Sequence, residues 1–201
     1  GCNKKDLKLS LKALREITMR FSAEGSLRDF INNFPEETLI EVERWAKDKN
    51  YHVRRLASEG TRPSLPWAKK ITTDPERVLP ILEILYQDKT RYVTRSVANH
   101  LNDLSKLNPN LVVTLLKRWQ KTKLQSPSEL HFITKHALRT LIKKGNQGAL
   151  NLLGFREAKL ELKAFKLQDK QVAVGDALQF SMTLTSTSQA PQAVLLDYVI
   201  Y

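Results

Sequence analysis

A sequence that repeats itself at a fixed interval folds as stacked copies of one unit. Shifted against itself by 40 residues, this chain superposes Val53, Val93 and Ile133, and with them Ala57, Val97 and Ala137. The same shift lays Arg55 on Arg95 and Lys135, and Asp48-Lys49 on Asp88-Lys89. In helical sequence such a period means helix pairs packed side by side in an α-α solenoid. Positions 53 and 57 share one helical face, so the Val/Ala ridge is the seam between repeats. Position 55 lies about 200° round the helix from 53 and turns its side chain away from that seam. Each repeat thus presents a cation from one place on its second helix, and stacking makes a row of Arg55, Arg95 and Lys135.

Other helix signals agree. Leu7, Leu11, Leu14 and Phe21 are expected on one stripe of a first helix, interspersed with Lys8, Lys12 and Arg15. Pro35 suits the first turn of a helix running toward Lys49, and Pro75, Pro80, Pro109 and Pro127 recur near other helix starts. From Lys159 the period changes to two: Leu160 and Leu162, then Val172 and Val174, then Leu178, Phe180, Met182 and Leu184. With a turn at Val174-Gly175-Asp176, this predicts three antiparallel strands, too few to bury both faces of a sandwich. The expected architecture is an all-α HEAT-like repeat solenoid over 1–157, then a partial antiparallel β domain over 158–201.

Charge follows the same division. The 201 residues carry a net +12. Residues 158–201 hold four basic side chains (Lys159, Lys163, Lys166, Lys170) and four acidic ones (Glu161, Asp169, Asp176, Asp197), so the whole excess lies in 1–157. That asymmetry suggests a polyanionic partner for the helical segment, and a concave basic stripe fits a duplex phosphate backbone. An apolar fraction of 41% and a charged fraction of 27% describe a soluble globular chain. No apolar run approaches a membrane span. One cysteine, Cys2, excludes an internal disulfide and a thiolate zinc site.

His52, His100, His131 and His136 lack metal-ligand spacing, and no glycine-rich phosphate loop or nucleophile elbow is present. The segment from Tyr51 to Trp67 stands out instead. A second helix carries Arg55 and Glu59 on its non-core side, ends at Gly60, and runs into Arg62-Pro63-Ser64-Leu65-Pro66, which presents Trp67. Two prolines stiffen that loop and hold an indole ready. An indole face attracts a cationic base, and a nearby carboxylate stabilises positive charge on a sugar as a glycosidic bond breaks. Read without that chemistry, Arg55–Glu59 is a helix-face ion pair and Trp67 an inter-repeat packing residue.

The run His52–Trp67 closely resembles the signature of the DNA alkylation repair glycosylases built from HEAT-like repeats, the AlkC/AlkD superfamily, in its AlkC branch. Thr94–Lys106 and, more weakly, Phe21–Phe30 match the same branch, and the likeness covers nearly all of 7–157. Some of its members carry an immunoglobulin-like β domain after the helical one, and residues 159–201 resemble the start of it. The resemblance implies a monofunctional glycosylase that removes cationic N3-alkylated bases from double-stranded DNA: 3-methyladenine, with 3-methylcytosine as a further substrate. It implies no metal or organic cofactor, no membrane, a monomer, and a cytoplasmic setting on a bacterial nucleoid. By the match, Glu59 and Asp103 are active-site carboxylates, with Glu24 as a third. Trp67 contacts the lesion sugar or base, and Arg55, Arg62 and Arg95 hold phosphates, with Arg54 and Lys135 in the same DNA-facing set. The resemblance also implies that the lesion is read while still stacked, by distortion of the DNA backbone against the solenoid. Here Gly25 and Ser26 follow Glu24 where the family has bulky apolar residues, and Ser64 replaces a common basic residue.

Two other classes remain open at this level: a catalytically silent DNA-binding scaffold, and a helical-repeat module for acidic protein partners. The enzyme reading expects Glu59, Trp67 and Asp103 to converge on one concave, solvent-open surface.

Overall fold

The structure, a computed structural model, describes residues 3–169, 171–196 and 198. Cys2, Lys170 and Asp197, which entered the cysteine and charge readings, lie outside them. Two compact units divide between Ala149 and Leu150, ahead of the 157/158 boundary expected near the onset of the strand pattern.

The first unit contains α1 (Leu7–Thr18), α2 (Glu24–Asn33), α3 (Pro35–Trp45), α4 (Tyr51–Glu59), α5 (Leu79–Leu85), α6 (Arg91–Leu107), α7 (Pro109–Thr122) and α8 (Pro127–Lys143). A 3-10 turn, Pro75–Val78, leads into α5, and α9 (Gln147–Leu152) crosses the division. Proline opens α3, α7, α8 and the 3-10 turn, where its missing N–H costs no helical bond. The pairs α3/α4, α5/α6 and α7/α8 are the repeats, and their second members α4, α6 and α8 pack on one another in sequence. The expected seam is real: Val53, Val93, Ile133, Ala57, Val97 and Ala137 are all 0% exposed.

The matched aspartates have a shared task. Asp48 and Asp88 sit just before α4 and α6, and each accepts a backbone N–H two residues on, from Asn50 and Thr90, at 2.8 Å. Each also takes an arginine from an earlier element: Arg15 of α1 reaches Asp48 at 2.7 Å, and Arg54 of α4 reaches Asp88 at 2.5 Å. In the last repeat Glu129, in the first turn of α8, receives Arg91 at 2.5 Å. At α4 and α6 one carboxylate therefore both orders the helix start and ties it to an earlier helix, whereas at α8 Glu129 makes the tie and Ser126 Oγ caps the start by accepting the Glu129 N–H.

Phe21 departs from its expected place. Leu7, Leu11 and Leu14 are buried on α1, but the helix ends at Thr18, so the spacing no longer carries Phe21 to that stripe and it stands 79% exposed. The last unit also departs from expectation. Among its described residues are two strands, β1 (Leu160–Leu167) and β2 (Phe180–Ser186), paired antiparallel with an irregularity between Leu162 and Ala164. The third predicted strand is absent among the described residues. Val172 and Val174 alternate correctly but are exposed, and the chain turns through Gly175 at φ 101° with Asp176 N–H donating to the Ala173 carbonyl. Alternation alone makes no strand where no neighbouring edge accepts its hydrogen bonds.

Gly60 ends α4 with an ordinary helical φ of −68°, so its requirement is spatial. A Cβ there would lie 2.6 Å from Leu27 Cδ2 of α2 and 3.0 Å from the Leu56 carbonyl oxygen. Gly60→Ala is expected to destabilise the helical unit by about 1–3 kcal/mol through overpacking, read as a lower urea midpoint at unchanged slope.

Candidate active site

Three carboxylates come together where α2, α4 and α6 adjoin the loop after α4. Glu24 opens α2, where the helix dipole favours an anion; Glu59 closes α4; Asp103 lies in the C-terminal half of α6. All three are buried, at 4–5% exposed. An ionised carboxylate at that depth needs a paired, hydrogen-bonded partner, and arginines supply it. Arg62 Nη1 donates to Glu59 Oε1 at 2.6 Å, while its Nε and Nη2 both reach Asp103 Oδ2 at 2.8 Å. Arg55 is ion-paired with Glu24 and stands 3.7 Å from Glu59 Oε1. Ser96 Oγ donates to Glu59 Oε2 at 2.7 Å, and Lys106 Nζ to Asp103 Oδ1 at 3.2 Å. The result is a continuous alternation of charge: Glu24, Arg55, Glu59, Arg62, Asp103, Lys106.

The surroundings are electropositive. Burial lowers the affinity of Arg62 for its proton, but Glu59 and Asp103 outweigh it and hold Arg62 firmly cationic. Arg139 of α8 is pulled the other way by burial, with Asp103 raising and Arg62 lowering it. His100, one turn before Asp103, is fully buried and held neutral: burial depresses its pKa to about 4 despite a hydrogen bond to the Ser58 carbonyl at 3.0 Å.

Arg28 is the residue that sequence reasoning missed. It is fully buried on α2 and has no carboxylate among its described hydrogen-bond partners. Its guanidinium instead donates to four carbonyls of the loop after α4: Lys69, Arg62 at 2.7 Å, Gly60 at 3.3 Å and Pro63 at 3.4 Å. Asn32, one turn on, donates to the Lys70 carbonyl at 2.9 Å and accepts from Thr72 N–H at 3.0 Å. Together they hold the segment that carries Arg62 and Trp67. A signal was available: an arginine between Leu27 and Ile31 on a buried stripe has to find acceptors inside the protein.

Of the residues singled out in the sequence, Glu24, Arg55, Glu59, Arg62 and Asp103 share this network. The acids converge, but beneath guanidinium groups and not open to solvent. Trp67 is on the Arg28-held loop and is 70% exposed, whereas Trp45 and Trp119 are core residues. Arg95 and Lys135 are exposed on α6 and α8 and make no ion pair among the described residues. Arg54 is turned from the site into the Asp88 tie, with Nη1 also on the Asp48 and Lys49 carbonyls. Among the described residues no group of three or more His, Cys, Asp or Glu is placed to hold a metal ion, and no helix is long and apolar enough to cross a membrane.

Residues 4–141 match the family model described as DNA alkylation repair enzyme. The chain belongs to the DNA alkylation repair enzyme family. Residues 161–201 match a second model, the C-terminal Ig-like domain of the uncharacterised protein YhaZ. Uncharacterized protein YhaZ of Bacillus subtilis (strain 168) is 42% identical over 195 residues, covering 95% of this chain and 53% of that protein. Among solved structures, the Pseudomonas fluorescens alkylpurine DNA glycosylase AlkC, bound to DNA containing an abasic site analog, superposes with a TM-score of 0.87 at 39% identity. That match covers 94% of this chain and 53% of the other. The chain thus spans about half the length of the relatives it matches.

Two outcomes are expected from this geometry. Arg28→Met strips four loop carbonyls of their donor, so tryptic cleavage after Lys69 or Lys70 should accelerate about tenfold or more under native conditions. His100 contributes stability that is complete above about pH 6.5, its ordinary pKa, and is lost as pH falls toward 4, because the unfolded chain takes up the proton first. The loss is on the order of 3 kcal/mol. Urea unfolding at pH 7 and pH 4.5 should show it in the parent, and His100→Leu should flatten that part of the dependence.

Proposed function

We propose that this chain hydrolyses the N-glycosidic bond of cationic N3-alkylated bases in duplex DNA: 3-methyladenine, with 3-methylcytosine as a further substrate. Glu59, Asp103 and Glu24 are the acids, Trp67 meets the lesion sugar or base, and Arg55, Arg62, Arg95 and Lys135 address the backbone. The supporting observation is Arg62 bridging Glu59 and Asp103 at the foot of a loop that exposes an indole. A solenoid of the alkylation repair family, with a basic row on its second helices, is a fitting place for that arrangement.

An alkylated base already carries positive charge, so the C1′–N bond breaks with its electron pair leaving on a neutral base. The sugar becomes an oxocarbenium-like cation. A carboxylate held beside it stabilises that charge, and water adds to C1′ and gives up its proton to the carboxylate. The acids act at the deoxyribose, so the lesion need not leave the stack. No lysine attacks the sugar, which makes the activity monofunctional, and no metal or organic cofactor takes part.

In the free protein the same acids are occupied by Arg55 and Arg62. Backbone phosphates are the competing partner: as they engage the guanidinium groups, they free carboxylate oxygens for the sugar. Arg54 is left out of the DNA-facing set because its fork is committed to Asp88. The proposed setting is bacterial chromosomal DNA in the cytoplasm, with the protein acting as a monomer.

Glu59→Gln and Asp103→Asn should each slow release of 3-methyladenine about 10²–10³-fold while affinity for abasic-site DNA stays within a few fold. Excision by both variants at the parental rate would remove the catalytic assignment. A parent that binds abasic DNA with a steep salt dependence, yet releases no 3-methyladenine, is a scaffold.

A further inference from the structure

Next to the carboxylate network, the turn between α1 and α2 faces the N-terminal turns of α4 and α6 across a cleft of about 350 Å³. This is within the range of small-molecule sites. Arg20, Phe21, His52, Arg55 and Tyr92 are among its walls, and its described lining contains no carboxylate. Three rings and two cations around one opening are the chemistry that holds an unpaired nucleotide: π faces for the base, guanidinium for the phosphate.

Phe21, Tyr92 and Arg20 have the exposure that role requires. Phe21 is 79% exposed and lies beyond the end of α1, so the core makes no use of it. Tyr92 is half-exposed, with its ring 5.7 Å from His52 edge-on and 5.2 Å from the Arg55 guanidinium. These contacts fix the ring's orientation without closing the cleft. Arg20 is exposed, and its described hydrogen bond is a long one, 3.4 Å, to the Glu16 carbonyl. Arg55 is the shared wall: one guanidinium borders the cleft and pairs with Glu24 and Glu59. A nucleotide seated here therefore continues directly from a lesion at the carboxylates.

We infer that this cleft is a subsite for one unstacked nucleotide flanking the lesion, its base against Phe21 and Tyr92 and its phosphate on Arg20. The inference rests on the glycosylase reading. It gives the backbone distortion a receptor in the protein, since a strand bent at the lesion has a place for the nucleotide it unstacks. Tyr92 and Phe21 select by ring stacking, so the site accepts any base.

The probe is duplex DNA containing an abasic-site analogue, with 5-iododeoxyuridine placed in turn at each of three positions on either side. On irradiation, one flanking position should crosslink to Phe21 or Tyr92, identified by peptide mass. Crosslinks from every position falling elsewhere on the protein would overturn the subsite. In equilibrium binding, Phe21→Ala should weaken affinity about tenfold with an unchanged salt slope. Arg20→Ala should weaken it while lowering the slope by about one. Variants that bind and excise like the parent overturn the subsite and leave the glycosylase reading standing. A parent that neither binds abasic DNA nor releases 3-methyladenine overturns both.

Discussion

Guanidinium groups, fully buried at Arg28 and partly buried at Arg55 and Arg62, organise the candidate site of this molecule, and each faces oxygen atoms. Arg62 takes its oxygens from Glu59 and Asp103, Arg55 from Glu24, and Arg28 from the main chain of the loop that carries Arg62. Removing any one of these partners leaves a charge that water compensates only in part. A buried ion pair contributes little net stability against an apolar alternative, but its geometry is exacting. Here that geometry sets the position of one loop relative to three helices. The loop is therefore placed by electrostatic necessity more than by apolar packing, with Leu65 as its buried apolar anchor.

The same arrangement creates a tension that DNA is suited to resolve. Under the proposed function, carboxylates that stabilise a sugar cation must be close to it and poorly hydrated, which favours burial. Burial in turn demands cations, and cations occupy the oxygens. A polyanionic substrate brings a second set of acceptors for those arginines, so binding and exposure of the acids become one event in the proposed mechanism. The exposed cations at Arg95 and Lys135 have no such internal claim among the described residues, and in the proposed mechanism they are available to the phosphate backbone.

The solenoid supplies the precision. Asp48, Asp88 and Glu129 each receive an arginine from an earlier helix, and the two aspartates also order a second-helix start. Further along α6 and α8, Asn99 accepts from His136 and Arg139, and Asn102 from Thr140. Polar ties at both ends of the α6–α8 contact leave little room for sliding. Asp103 reaches Arg62 because α6 is long, running from its Asp88 tie past the seam residues to the network, a span that α4 ends too early to make.

Periodicity by itself determined the helix pairs and the seam of Val53, Val93 and Ile133, because a buried stripe must recur every repeat for identical units to stack; of the three matched cations Arg95 and Lys135 stand exposed, while Arg55 is drawn into an ion pair with Glu24. The loop after α4 and the carboxylate at Glu59 were legible as well, through residue order, and Asp103 through the family resemblance. Adjacent residues show the limit of that reading. Arg54 and Arg55 look equivalent in the sequence, yet one turn angle sends the first to Asp88 and the second to Glu24. Period-two alternation at Val172 and Val174 is no strand, since hydrogen bonding needs a partner edge that spacing cannot supply. Phe21 continues the α1 spacing past the point where the helix stops. Only the tertiary structure decided that Arg28 would be spent on loop carbonyls and that the acids would lie beneath arginines. Those outcomes depend on which oxygens come within hydrogen-bond reach of a buried charge once segments distant in the chain have packed.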